Sequence, residues 1–119
     1  MITIYVVRHG ETKEEKNRIL VGWSQIEINS EGIKQAENLG KKLRKEKFDY
    51  IYSSDLIRTT QTAEIIKQII GFPGNIRTDR ALRELNFGKY TGMYWPSLMK
   101  SDKRLLRDPN YACPGGCLL

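Results

Sequence analysis

The chain has 119 residues, enough for one small domain with a core of its own and hardly enough for two. Charged residues are 29% and hydrophobic ones 39%, a mix that excludes a disordered chain and a membrane-embedded one. Twenty Lys and Arg against 14 Asp and Glu leave a formal charge of +6, which favours anionic partners.

In chain order, Ile2-Thr3-Ile4-Tyr5-Val6-Val7 is β-branched, aromatic and apolar on both alternating faces, the pattern of a strand covered on both sides in a parallel sheet. This apolar run is too short to span a bilayer and no basic leader precedes it, so a cytoplasmic protein is expected. Residues 10 to about 29 are polar without a clear period, and so long a loop in a compact domain is usually functional. Asn29 and Ser30 offer an N-cap to a helix whose inward stripe is Ile33, Ala36, Leu39/Gly40 and Leu43. Phe48 to Ser53 reads as a second strand. Ser53 or Ser54 can cap a second helix, with Leu56, Thr59, Ala63, Ile66 and Ile70 facing inward and Gly71-Phe72-Pro73-Gly74 ending it. Ile76 to Thr78 makes a short third strand, Ser97 to Leu106 a further helix, and Asp108-Pro109 and Pro114-Gly115-Gly116 turns. Strand, helix, strand, helix, strand argues an α/β sandwich with right-handed crossovers, one domain over residues 1–119.

Much of the excess charge lies in Lys41-Lys42, Arg44-Lys45, Lys47 and Lys103-Arg104. It reads as solvated helix face, because neither aromatic interleaving nor a nucleic-acid motif accompanies it, and no nucleic-acid partner is expected. Cys113 and Cys117 make neither a disulfide framework nor, without a further His, a zinc set. No metal and no cofactor are expected.

Ligands of open α/β sheets bind beyond the carboxyl ends of the strands. Arg8-His9-Gly10-Glu11-Thr12 follows the first strand, and Ser53-Ser54-Asp55-Leu56-Ile57-Arg58 follows the second and enters a helix. The single histidine therefore lies near two arginines and a helix N-terminus. Helix N–H groups and forked guanidinium groups recognise a phosphoryl group, and a neutral imidazole beside them can attack phosphorus. Arg8 and Arg58 should lower the His9 pKa and favour that neutral form. Gly10 leaves room for backbone to approach an oxyanion. The leaving oxygen needs a proton, and Glu84 beyond the third strand is the best-placed carboxyl group.

Taken singly, each residue has a plainer reading. His9 could simply end a strand, Arg58 could pair with Glu64 or Asp55, Glu84 could be a solvated acid, and Asn17 a polar loop residue. Glu11 would brace its loop, and Trp23, Tyr94 and Trp95 would pack as core or lid.

Together the boxes resemble the histidine phosphatase superfamily, also called phosphoglycerate mutase-like. They are Arg8-His9-Gly10-Glu11-Thr12 with Asn17 after it, Ile28-Asn29-Ser30-Glu31-Gly32-Ile33-Lys34-Gln35-Ala36, Ser53 to Ala63, and Leu82-Arg83-Glu84-Leu85-Asn86-Phe87-Gly88 to Gly92. Their occurrence in this order over residues 4 to about 92 is a strong signal. The resemblance implies a three-layer α/β sandwich with a mostly parallel sheet. It also implies metal-independent chemistry, in which His9 takes a phosphoryl group from a small phosphorylated metabolite and passes it to water or a hydroxyl. Arg8, Asn17 and Arg58 would bind phosphate and Glu84 would be general acid and base.

The sequence also departs from the family. A second family histidine in an SHGG-like segment is absent, since the chain has one His in all, and Cys117 stands where the family's PGGES box has Glu. The family strand carrying that segment lies between the first and second strands read here. The chain accordingly resembles the N-terminal part of a family member, its later strands missing. Loss of one donor to the transferring group would slow the reaction ~10²–10³-fold, and an open sheet edge would favour self-association or marginal stability. The alternatives are a non-catalytic phosphate-ester binding module or inactive fragment, and a basic nucleic-acid-binding fragment.

Overall fold

The computed structural model describes residues 1–104 together with Cys113 and Gly115. Of the helix expected over Ser97 to Leu106, the described residues form Trp95–Ser101 with Asp102 as its C-cap; Leu105 and Leu106, the Asp108-Pro109 turn, most of the Pro114-Gly115-Gly116 turn and Cys117 lie outside the described residues. The elements are α1 (Lys13–Lys16), α2 (Ser30–Leu43), β1 (Ile51–Ser53), α3 (Ile57–Ile70), β2 (Ile76–Thr78) and α4 (Trp95–Ser101). Single 3₁₀ turns occupy Arg80–Leu82 and Gly88–Tyr90. The fold is α/β, and its sheet is a parallel pair with Ile51 opposite Ile76 and Ser53 opposite Thr78. No helix among the described residues is long and apolar enough to cross a membrane.

Helix α2 starts where its sequence places the cap. The Asn29 side chain accepts the Gly32 N–H at 2.8 Å, satisfying one of the donors a helix start leaves free. Its buried stripe is Gly32, Ala36 and Gly40, whereas Ile33 is 41% exposed. Small residues four apart let α2 settle closely on α3. A Cβ at Gly40 would come within 3.0 Å of Ile69, so this helix pair is held by close approach rather than by interlocked large side chains.

Helix α3 begins one turn later than expected. Leu56 is its N-cap and no side chain caps it; instead the Ser54 hydroxyl pairs with Thr59 Oγ1 at 2.6 Å, and Thr59 turns back to the Leu56 carbonyl. The buried stripe is Arg58, Thr62 and Ile66 in place of Thr59, Ala63 and Ile70. A charged residue lies on that stripe, which is why apolar periodicity placed the inward face one residue off. The helix ends at Gly71, whose φ of +68° is the left-handed conformation that terminates helices.

The strand expected over Ile2 to Val7 is not formed. The described sheet has two strands that pair only with each other, and Ile2, Ile4 and Val6 are 86%, 78% and 93% exposed. A strand is made by ladder partners, and residues 2–7 have none among the described residues. Their aromatic anchor is Tyr5, packed edge-on against Phe48 with ring centroids 5.2 Å apart. The second strand is correspondingly short, covering Ile51–Ser53 of the expected Phe48 to Ser53.

Candidate active site

The loop after Val7 is fixed by hydrogen bonds from several directions. The Gly10 N–H donates to Thr62 Oγ1 of α3 at 2.9 Å, and the Glu11 N–H donates to Gln35 Oε1 of α2 at 2.9 Å. The Asn29 N–H and side-chain amide both donate to Glu11, to its carbonyl and carboxylate, so Glu11 does brace the loop. Gly10 lies directly on Gly32; a Cβ at Gly10 would come 2.6 Å from the Gly32 carbonyl oxygen. Two glycines face each other because neither place has room for a side chain.

This loop presents His9. Its Nδ1 donates to the Gly10 carbonyl at 2.7 Å, which leaves Nε2 as the reactive position of the neutral ring. Nε2 faces Glu15, whose Oε1 is 3.3 Å away. Glu15 stands on α1, a single helical turn capped by Thr12. The Thr12 hydroxyl accepts the Glu15 N–H at 3.1 Å and donates to Glu15 Oε2 at 3.2 Å.

Arg58 is buried, with 1% of its surface exposed. Its Nη1 donates to the Ser24 carbonyl at 3.0 Å, and Nη2 donates to the Gly22 carbonyl at 2.7 Å and to Glu84 Oε2 at 2.6 Å. Its Nε has no acceptor among the described residues. Arg58 therefore pairs with Glu84 and with neither Glu64 nor Asp55. Asp55 is held by Arg83 in a two-pronged ion pair, at 2.6 and 2.7 Å. Glu84 is also steadied through its backbone, since Trp23 Nε1 donates to its carbonyl at 2.8 Å. Arg80 and Arg83 lie over the Trp23 ring at 4.9 Å each. Trp23 thus ties the loop of residues 21–24 to Glu84.

The expected residues are placed as follows. His9, Arg58 and Glu84 come together. Arg8 lies beside them but is 82% exposed, with Nη2 3.9 Å from Glu15 Oε1. Asn17 caps the end of α1 with its backbone N–H and is exposed, and no contact joins its side chain to His9 among the described residues. Glu15 was not foreseen. Its signal is the Thr12-x-x-Glu15 spacing, a capping signature that places a helical turn in the stretch read as loop.

The charge balance at His9 also differs from expectation. Burial disfavours the imidazolium, but the hydrogen bond to Glu15, the Gly10 carbonyl and the Glu15 charge together outweigh burial and the opposing Arg58 charge. The His9 pKa is raised, not lowered. Burial likewise pushes the Glu15 carboxyl up, but the bond and charge of His9, with help from Thr12 and Arg8, bring it below its ordinary value. Each partner thus favours the charged form of the other, imidazolium beside carboxylate. Arg8 cannot depress His9 as foreseen because it extends into solvent, where its charge is screened.

One ligand atom from each of His9, Glu15 and Glu84 lies within 4.8 Å of the others. Arg58 already supplies a fixed positive charge to Glu84, so we assign no metal to this cluster. A cleft of about 190 Å³ opens beside it, lined by Arg8, His9, Gly10, Gln35, Ala36, Leu39 and Thr62.

The family description of the histidine phosphatase superfamily (branch 1) matches residues 4–116. Phosphoglycerate mutase-like protein 4 of Arabidopsis thaliana is 40% identical over 98 residues, 82% of this chain and 42% of its own length. Probable phosphoglycerate mutase GpmB of Salmonella choleraesuis is 42% identical over 88 residues, 74% of this chain and 40% of its own. Among solved structures, a mycobacterial glucosyl-3-phosphoglycerate phosphatase superposes with a TM-score of 0.81 at 28% identity, covering 91% of this chain and 55% of that one. Bacillus stearothermophilus YhfR gives 0.79 at 32% identity, with 92% and 55% covered. This chain spans roughly half the length of these relatives, or less.

Proposed function

Given that this chain belongs to the histidine phosphatase superfamily, we propose that it moves a phosphoryl group from a small phosphorylated metabolite onto His9, as a phosphatase or a phosphoglycerate mutase-type phosphotransferase. The observation that carries this reading is the meeting of a histidine whose Nδ1 is tied to backbone with a buried arginine that reaches a second acid beside it. In the first half-reaction the Nε2 lone pair attacks phosphorus. The N–P bond forms, the P–O ester bond breaks, and the leaving oxygen takes a proton from Glu84. In the second, water or a hydroxyl attacks phosphorus, gives its proton to Glu84, and the N–P electrons return to Nε2. Arg58, with Arg8 and Asn17, holds the phosphoryl oxygens. The incoming phosphoryl group competes with Glu84 for the Arg58 guanidinium, and that exchange frees Glu84 to carry a proton. The scheme uses no metal or cofactor. A cytoplasmic location suits such a substrate, and the sheet edges that have no partner among the described residues, with exposed residues 2–7, support self-association.

A second reading is a module that binds phosphate esters without turnover. The lone histidine and its pairing with Glu15 favour it. Hydrolysis of p-nitrophenyl phosphate separates the two. The first reading expects slow turnover that His9→Ala abolishes. Turnover indistinguishable between the two proteins would overturn it, while inorganic phosphate binding with no turnover in either would favour the second.

A further inference from the structure

The carboxylate of Glu15 has no part in the scheme above, yet it makes the closest side-chain approach to the atom that must react. We propose that Glu15 is a positioning residue that keeps the His9 Nε2 protonated at rest and so sets the pH above which the ring can accept a phosphoryl group. The inference rests on phosphoryl transfer through His9 only for its consequence, not for the proton placement itself.

The geometry leaves one arrangement. Nδ1 donates to the Gly10 carbonyl, so in the neutral ring Nε2 carries the lone pair. An ionised carboxylate offers only acceptors. At 3.3 Å from Nε2, Oε1 of Glu15 makes a hydrogen bond only if that nitrogen holds a proton. Glu15 is not free to swing away at no cost. Thr12 binds its Oε2 and its backbone N–H, and Arg8 Nη2 lies 3.9 Å from the same Oε1 that faces His9. The other charges facing the ring are Arg58 from α3, which opposes protonation, and Glu84, which Arg58 neutralises at 2.6 Å. Glu15 is thus the acid whose charge is not already answered within α3 or the Glu84 loop.

The consequence follows from proton balance. Before the N–P bond forms, Nε2 must release its proton to water or buffer, and the Glu15 carboxylate must yield its place to phosphoryl oxygens of the same sign. Both requirements hold back transfer, and an uncharged side chain at position 15 eases both: Nε2 releases its proton at lower pH, and the phosphoryl oxygens meet no carboxylate.

The chain holds one histidine, so nuclear magnetic resonance of labelled imidazole reports His9 without ambiguity. The expected result is a midpoint about one pH unit lower, or more, in Glu15→Gln than in the parent chain. Glu14→Gln, on the same turn but not facing the ring, should leave the midpoint where it was. Equal midpoints in all three folded proteins, or an equal fall in Glu14→Gln, would overturn the proposal. Labelling with phosphoramidate across pH gives the second readout. Labelling of Glu15→Gln should reach its plateau at lower pH than that of the parent. Parallel labelling profiles would overturn the proposal while leaving phosphoryl transfer standing. No labelling in either protein would instead refute transfer through His9, and the imidazole midpoints would still decide the proton placement.

Discussion

Residues 2–7 and residues 9–12 are neighbours in the chain and opposites in structure. The first segment is apolar, extended in pattern and exposed, with no ladder partner among the described residues. The second is short and polar, and it is pinned by Thr62, Gln35, Asn29 and the Gly10–Gly32 contact. The difference teaches that the candidate site draws its order from the helix pair behind it, not from the segment leading into it. Close packing of α2 on α3 fixes the acceptors, and those acceptors fix the loop.

The comparison can be broken most severely at Arg58. Arg58→Ala strands the Gly22 and Ser24 carbonyls and leaves Glu84 without its counter-charge. We expect a loss of about 3 kcal/mol in urea unfolding, chiefly because a fully buried side chain is removed and two carbonyls it satisfies are stranded, while Glu84, which is partly exposed, adds less. Gly32→Ala comes next. Its new methyl group collides with the Glu11 backbone, and a loss of about 1–3 kcal/mol is expected by the same assay. Thr62→Val removes the acceptor of the buried Gly10 N–H while keeping the shape, at about 1–2 kcal/mol. Ile4→Lys and Val6→Lys should change stability by no more than about 0.5 kcal/mol. They should also shift sedimentation toward the monomer; a large stability loss would mean that residues 2–7 pack after all.

A pH series sharpens the same contrast. The His9 pKa is raised on folding, so its contribution is complete below its ordinary value of 6.5 and is lost as pH climbs through the folded value. The Glu15 pKa is lowered, so its contribution is complete above its ordinary value of 4.5 and is lost as pH falls through the folded value. Stability from the pair therefore peaks between those two ordinary values, and Glu15→Gln should flatten that peak in denaturant midpoints.

Local chemistry made much of this legible. The Asn29 cap, the Gly71 stop and the Ile76–Thr78 strand follow from residue types at short range, and the meeting of His9, Arg58 and Glu84 was read from the strand ends and from the resemblance of the boxes. The pairing of residues 2–7 did not, because an apolar alternation states which neighbours a strand needs and not whether they are present. The inward face of α3 was misread because it buries an arginine, whose partners are carbonyls of residues 22 and 24 that no periodicity reveals. Glu15 escaped notice because its importance lies in a 3.3 Å approach across the Thr12 turn.

The most direct measurement is to incubate the chain with phosphoramidate at alkaline pH and map the acid-labile adduct by mass spectrometry. A single phosphoryl group on His9, absent from Arg58→Met and discharged by water, is the result expected. A phosphoryl group on any other residue, or none while inorganic phosphate still binds, would contradict the account.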